Sequence, residues 1–153
     1  MVSDDLDKLC EDIAGKASQR RIGVAESLSG GNIAARLSRA PSSGDWFSGG
    51  IIAYRPEVKH HLLQVPDGPV VCAAAAEAMV TSSARLLEAD LVVAVTGEAG
   101  PQSQEDDPGT VWFGTFDGGE VTSSCRLFDG EPAEIVTATI TFALTLLHER
   151  LQS

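Results

Sequence analysis

The chain has 153 residues, of which 43% are apolar and 22% charged, a length and composition that indicate one folded domain and exclude a disordered protein. Its formal charge of −11 disfavours direct binding to nucleic acid or acidic lipid, because such binding depends on clustered Lys and Arg. The three cysteines, Cys10, Cys72 and Cys125, lack paired metal or redox spacing, which favours unpaired thiols in the cytoplasm.

No targeting or membrane segment is expected. The acidic N-terminus has no basic region followed by an apolar run, so we expect no signal peptide. The longest uncharged apolar stretch near the end, residues 135–147, is too short and too rich in threonine to span a bilayer.

The spacing of apolar residues predicts alternating helices and strands. In chain order these are a helix over 6–17, a strand over 22–25, a helix that contains Ile33 and Leu37, a turn over 41–44, a strand over 46–54, helices over 56–64 and 72–88, a strand over 91–95, a hairpin of 110–116 and 121–128, and a helix over 132–151. The strand over 91–95 is continuously apolar, which is typical of a strand buried on both faces. The helix over 132–151 is the ambiguous element, because its threonines alternate as they would in a strand.

A glycine turn follows the first strand. Gly30 and Gly31 stand between the strand and the next helix, where backbone N–H groups can bind an anion or a developing oxyanion. The alternative is an ordinary strand-to-helix connection with Ser29 as the helix cap. The octapeptide alone does not decide between them.

Metal binding is not predicted. His60, His61 and His148 lack ligand spacing to one another or to a cysteine, and they are interpreted as surface residues. The acidic run at 105–107 belongs to a long loop over 96–109, a length that is usually functional or mobile. It has the chemistry to bind a hard cation, but an exposed acidic loop is the favoured interpretation.

A serine, a tyrosine and a lysine form the one coherent set for chemistry. Ser27 needs a base to become a nucleophile, and no histidine is placed to serve. A desolvated lysine such as Lys59 can take that role, and Tyr54 can orient or relay. For Lys59 the alternative is a solvated charge on a helix.

A series of short motifs runs through the chain from about Leu6 to Leu151. They are Ala25-Glu26-Ser27-Leu28-Ser29-Gly30-Gly31, Ser42-Ser43-Gly44-Asp45-Trp46-Phe47, Ala53-Tyr54-Arg55-Pro56-Glu57-Val58-Lys59, Val70-Val71-Cys72, Gly97-Glu98-Ala99-Gly100-Pro101, Gly109-Thr110-Val111-Trp112 and Phe128-Asp129-Gly130-Glu131-Pro132. In their order and spacing they resemble the C-terminal domain of the competence/damage-inducible CinA proteins. That domain also occurs alone as a nicotinamide-mononucleotide amidohydrolase.

The resemblance implies a single domain over 1–153, a three-layer α/β/α sandwich with a mixed central sheet that is often a homodimer. It implies hydrolysis of the carboxamide of nicotinamide mononucleotide without metal or cofactor. Ser27 would be the nucleophile, Lys59 the base and Tyr54 an assisting group, with the oxyanion held by N–H groups around Gly30 and Gly31. The substrate-binding residues would be Ser29, Gly30, Gly31, Thr96, Gly97, Gly100 and Thr110.

The chain also departs from the family pattern. Arg55-Pro56 replaces Ser-Asn, Glu98 replaces an isoleucine, and the loop after Gly100-Pro101 is shortened and acidic. Both arginines of the last motif are gone, and Glu131-Pro132 and Thr137 stand at their positions. Since a mononucleotide carries a phosphate, these losses also favour two other hypotheses: a silent member that binds a nucleotide-like ligand, and a protein-interaction module.

Self-association is expected as well. The apolar segments around Trp46 and over 135–147 suggest a buried interface, as in the family. The partners predicted from the sequence are therefore a small nucleotide substrate and a second copy of the chain.

Overall fold

The computed structural model describes residues 3–100 and 105–152, and the predicted loop over 96–109 therefore lies partly outside the described residues. The elements, in chain order, are α1 (Ser3–Lys16), β1 (Ile22–Glu26), α2 (Asn32–Ser38), α3 (Ser43–Trp46), β2 (Phe47–Ile52), α4 (Pro56–Leu62), α5 (Ala73–Leu87), β3 (Leu91–Gly97), β4 (Thr110–Asp117), β5 (Glu120–Leu127) and α6 (Pro132–Gln152).

The five strands form one mixed sheet in the order β2-β1-β3-β4-β5. β1 runs parallel to both β2 and β3, with Ala25 opposite Ile51 on one side and Ala94 on the other. β4 is antiparallel to β3, and β5 is antiparallel to β4. The carboxyl ends of β1, β2 and β3 therefore meet at one edge of the sheet, where clefts form in α/β domains.

Helices cover both faces of the sheet. Successive residues of β3, such as Val92 and Val93, face opposite sides and belong to two separate apolar clusters. α1, α2 and α6 contribute to the cluster on one face, while α5 and the segment 63–71 contribute to the other. The expected α/β/α sandwich with a mixed central sheet is confirmed, and β3 is buried on both faces as its apolar run predicts.

The predicted strand over 46–54 is wrong at both ends. Trp46 ends the short helix α3, where its indole N–H donates to the carbonyl of Pro41 at 3.1 Å. At the other end Ala53 lies beyond the strand, although its N–H still donates to the carbonyl of Glu26 at 2.8 Å. An indole that finds a local acceptor stabilises the helical turn, a preference that apolar alternation does not report.

The ambiguous segment is a helix, α6. The hydroxyls of Thr137, Thr139, Thr141 and Thr145 each donate to the carbonyl four residues earlier, at 2.7–3.1 Å. Threonines at alternating positions thus satisfy their hydroxyls within a helix, so their spacing did not indicate a strand.

Candidate active site

A cleft of about 790 Å³ opens at the carboxyl ends of the parallel strands. Its described lining comes from Ser27 and Leu28 after β1, from the start of α4, and from segment 97–100 after β3. Val70, Val71, Glu105 and the first turn of α6 complete it. Ser27, Tyr54 and Lys59 all lie on this cleft.

Ser27 is the residue at which the buried strand β1 opens into the cleft. All five residues of β1 are buried, and Ser27 itself is only 3% exposed. Its carbonyl accepts a hydrogen bond from the N–H of Gly30 at 3.0 Å, which fixes the turn. Its hydroxyl forms no hydrogen bond with any residue that the structure describes, which leaves it available to a ligand.

Lys59 is buried although its helix is mostly exposed. It is 3% exposed, while Glu57 and Val58 before it on α4 lie open to solvent. Among the described residues, none accepts a hydrogen bond from its amino group or forms an ion pair with it. Burial lowers the pKa of Lys59, because the charged ammonium loses its hydration, and the nearby carboxylates of Glu105 and Glu98 partly oppose that shift.

Two glutamates lie on the same cleft and are held by backbone N–H groups. The carboxylate of Glu105 accepts from the N–H of Val70 at 2.9 Å and of Val71 at 2.8 Å. The carboxylate of Glu98 accepts from the N–H of Glu105 and of Asp106, both at 3.1 Å. These hydrogen bonds hold the carboxylates of Glu98 and Glu105 in place on the cleft.

No group of three or more potential metal ligands occurs in the described part of the chain.

The N-terminus of α2 is occupied by a side chain of the protein. Glu26, fully buried, accepts hydrogen bonds from the N–H groups of Gly31 at 3.1 Å, Ile33 at 3.0 Å and Ala34 at 2.8 Å. A carboxylate is favoured there, because it satisfies unpaired amides and meets the positive end of the helix dipole.

The amides of Gly30 and Gly31 themselves already have acceptors: the first donates to the carbonyl of Ser27 and the second to the carboxylate of Glu26. The oxyanion role expected for the N–H groups around these glycines stays a prediction. Ser29 is not a side-chain cap, since its buried hydroxyl has no partner in the described chain. The turn amides of Leu28 and Ser29, however, donate no hydrogen bond within the described residues.

Comparison with known proteins decides the family. The profile of the CinA C-terminal domain matches residues 5–151. The chain belongs to this family. Among its relatives, nicotinamide-nucleotide amidohydrolase PncC of Pseudomonas putida is 37% identical over 131 residues, which cover 81% of this chain and 82% of that protein. A CinA-like protein of Frankia casuarinae is 39% identical over 137 residues, or 85% of this chain and 31% of that protein.

Solved structures agree with the family assignment. A CinA superfamily protein from Klebsiella pneumoniae superposes with a TM-score of 0.91 at 30% identity, covering 96% of this chain and 98% of the other. A competence/damage-inducible protein from Agrobacterium tumefaciens gives 0.88 at 27% identity, covering 100% and 99%. The chain spans about a third of the length of the CinA-like relatives, such as those of Frankia and of Geobacter sulfurreducens, which it covers to 33%.

The substrate-binding residues expected from the CinA resemblance divide into two groups. Gly97 and Gly100 line the cleft. The remaining five are not part of its described lining: Ser29, Gly30, Gly31, Thr96 and Thr110. The hydroxyl of Thr96 instead donates to the carbonyl of Val70 at 2.6 Å, so it supports the backbone that binds Glu105. The N–H of buried Thr110 donates to the carbonyl of Asp107 at 3.1 Å.

Arg55 and Tyr54 lie at the exposed rim of the cleft. Arg55, four residues before Lys59, is 78% exposed and pairs with Glu57 at 3.8 Å, whereas the lowered pKa of Lys59 results from burial. Tyr54 lines the cleft from its rim, where it is 68% exposed.

Within residues 3–100 and 105–152, no helix has the length and apolar character to cross a bilayer.

The sequence analysis missed the role of Glu26 and the presence of Glu98 and Glu105 on the same cleft as Lys59. For Glu26 a sequence feature was present, since it is the one charged residue of an otherwise apolar strand. A buried carboxylate requires donors, and the following helix N-terminus supplies them. For Glu98 and Glu105 no local pattern places two acids from one loop beside a lysine of another element.

Proposed function

We propose that this CinA-family chain hydrolyses the carboxamide of nicotinamide mononucleotide to nicotinate mononucleotide and ammonia. Its family and the amidohydrolase name of its Pseudomonas relative support the reaction class. The observation that carries the proposal is a buried lysine and a serine hydroxyl on the same cleft, neither of which has a partner in the described chain. A lysine whose pKa is lowered by burial is suited to act as a base.

In the first step, the Oγ of Ser27 attacks the amide carbon while the neutral amine of Lys59 takes the hydroxyl proton. The carbonyl oxygen becomes an oxyanion, for which the N–H of Leu28, which lines the cleft and has no acceptor within the described residues, is the available donor. The C–N bond then breaks, the Lys59 ammonium returns its proton to the leaving nitrogen, and ammonia departs. Ser27 is left as an acyl ester.

In the second step, water attacks the ester carbon while Lys59 again accepts a proton. The C–Oγ bond breaks, the proton returns to Ser27, and nicotinate mononucleotide leaves. Tyr54, exposed at the rim, is assigned to positioning the bound substrate instead of relaying a proton.

The phosphate of the substrate is assigned to the rim of the cleft. Arg55 is the exposed cation in its described lining, and its contact with Glu57 at 3.8 Å is solvent-exposed and weak enough to exchange for a phosphate. Arg55 would thereby replace the arginines missing from the last motif.

The cysteines, unpaired in the structure, support a cytoplasmic setting in the recycling of nicotinamide nucleotides.

A silent binding protein is the second candidate. It is favoured by Glu26, which occupies the helix amides of α2, and by the two glutamates that stabilise the charged form of Lys59. Such a protein would bind the nucleotide in the same cleft without releasing ammonia.

The experiment incubates the purified chain with nicotinamide mononucleotide and follows ammonia by a coupled assay and nicotinate mononucleotide by NMR. The amidohydrolase proposal predicts both products in equal amounts. Binding by calorimetry without product supports the silent binder, and neither binding nor product rejects both candidates.

A further inference from the structure

We infer that the cleft selects a positively charged ring, and that Glu98 and Glu105 are the specificity-determining residues. We call these two side chains the acidic wall. Resting on the proposed function, the inference makes the substrate class N-substituted pyridinium carboxamides and excludes their uncharged 1,4-dihydro forms.

The acidic wall is preorganised. Glu105 is fixed by the N–H groups of Val70 and Val71, and Glu98 by those of Glu105 and Asp106. Both residues line the cleft, so their charges are held toward it without further ordering on binding. Backbone N–H donors carry no net charge, so these contacts position the two carboxylates without neutralising them.

The acidic wall also lies beside the reacting centre. Lys59 is 3% exposed and has no partner in the described chain. The negative charges of both glutamates act on its pKa, which they raise against the effect of burial. A carboxamide that reaches Ser27 and Lys59 carries its ring directly bonded to the amide carbon. The ring is thus held in the field of both carboxylates, of which Glu98 is half-buried and Glu105 exposed.

The positive and negative charges that line the cleft are arranged to match a zwitterionic ligand. At the rim the cation Arg55 is exposed, and within the cleft the acidic wall supplies two negative charges. A nicotinamide mononucleotide carries its pyridinium next to the amide and its phosphate at the far end of the ribose. The acidic wall therefore meets the cationic end and Arg55 the anionic end, whereas a reduced ring leaves the two carboxylates uncompensated.

The test compares dissociation constants for nicotinamide mononucleotide and its 1,4-dihydro form, which share ribose, phosphate and carboxamide. The dissociation constants are measured by calorimetry on the Ser27→Ala chain, in which the substitution prevents turnover. We expect the oxidised form to bind at least about tenfold more tightly, an electrostatic preference that decreases with added salt. Equal binding of the two forms, or binding of neither, would overturn the inference.

The acidic wall is then neutralised residue by residue in the same background. Glu98→Gln and Glu105→Gln should each reduce the preference, and the double variant should bring it close to one. Asp107→Asn is the matched control, since it removes a charge from the same loop outside the described lining of the cleft. Thermal unfolding verifies that each variant is folded. If Glu105→Gln unfolds, Glu98→Gln still tests the inference, because it leaves the contacts of the Glu105 carboxylate with Val70 and Val71 intact. A preference that survives both substitutions contradicts the inference.

Ammonia release by the wild-type chain separates this inference from the proposed function. A chain that prefers the oxidised ring but releases no ammonia upholds the acidic wall and rejects the hydrolase. A chain that releases ammonia but binds both forms equally does the opposite.

Discussion

At the scale of the residue, Lys59 carries a conflict between stability and function. The residue is 3% exposed and its amino group has no partner in the described chain, so the folded state disfavours its charge. Such a group costs stability while it is protonated, and proteins keep costly groups of this kind where chemistry needs them.

Lys59→Met should therefore make the chain more stable at neutral pH while it removes the base. Because the pKa of Lys59 is lower in the folded than in the unfolded state, the unfolded chain binds more protons between the two values. The penalty is fully present below the folded-state pKa and disappears as the pH rises toward the unfolded value. Chemical denaturation across pH 6–11 checks this: the advantage of Lys59→Met should shrink as pH rises.

Exposed Lys16, in the last turn of α1, provides the matched control. Lys16→Met should leave stability unchanged or slightly lower, since it removes a favourable charge at a helix C-terminus. If Lys59→Met destabilises the chain at neutral pH, the amino group has a structural partner and the assignment as an unpaired base is wrong.

At the scale of the element, α2 depends on a carboxylate supplied from another element. It has seven residues and no side-chain cap of its own, and Glu26 of β1 accepts three of its early N–H groups. A strand residue thus fixes the start of the helix and, through it, the turn that presents Ser27.

Glu26→Gln should lower the free energy of unfolding by about 2 kcal/mol, the scale of hydrogen bonds to a charged group. Its amide NH₂ would face donors that need acceptors. Ser29→Ala is the contrasting variant: its buried hydroxyl has no partner among the described residues, so its removal should be neutral or stabilising. Urea unfolding measures both, and equal effects of the two changes would contradict the capping role.

The sequence predicts the elements well where apolar periodicity is strong, as in α1, α5 and β3, because burial of one or both faces dictates it. It also places Ser27, Tyr54 and Lys59 through their motifs. It does not predict that Glu26 takes the helix amides or that Glu105 binds the backbone at Val70. The contact of Glu105 joins segments far apart in the chain, and local patterns carry no information about it. For Glu26 the lone charge of an apolar strand was the available signal, but it does not say whether the helix amides bind this side chain or a ligand.

At the scale of the whole molecule, self-association stays a prediction, but its structural basis changes. Trp46 is 4% exposed, and Ile135, Leu144 and Leu147 are buried in the protomer's own core. Within the part of the chain that the structure describes, segment 52–62 contains four of the seven exposed large apolar side chains, namely Ile52, Tyr54, Val58 and Leu62. This segment borders the cleft and is the surface that we expect to be covered.

Sedimentation should then give a mass of about twice 16.0 kDa at micromolar concentration. Leu62→Glu should shift the chain toward the monomer, because it places a charge in the covered surface. Leu86→Glu is the matched control, since Leu86 is similarly exposed on α5. A wild-type monomer, or equal effects of the two variants, would contradict this interface.

The central claim is that Ser27 attacks the amide with Lys59 as its base. It is tested most directly by ammonia release from nicotinamide mononucleotide, with wild type, Ser27→Ala and Lys59→Met compared from pH 6 to 10. The account predicts no turnover for Ser27→Ala and a loss of about 10²–10⁴-fold for Lys59→Met. Wild-type kcat/KM should rise with pH through the lowered pKa of Lys59. Turnover by Ser27→Ala near the wild-type rate, with a pH profile that stays flat, is the result that would contradict it.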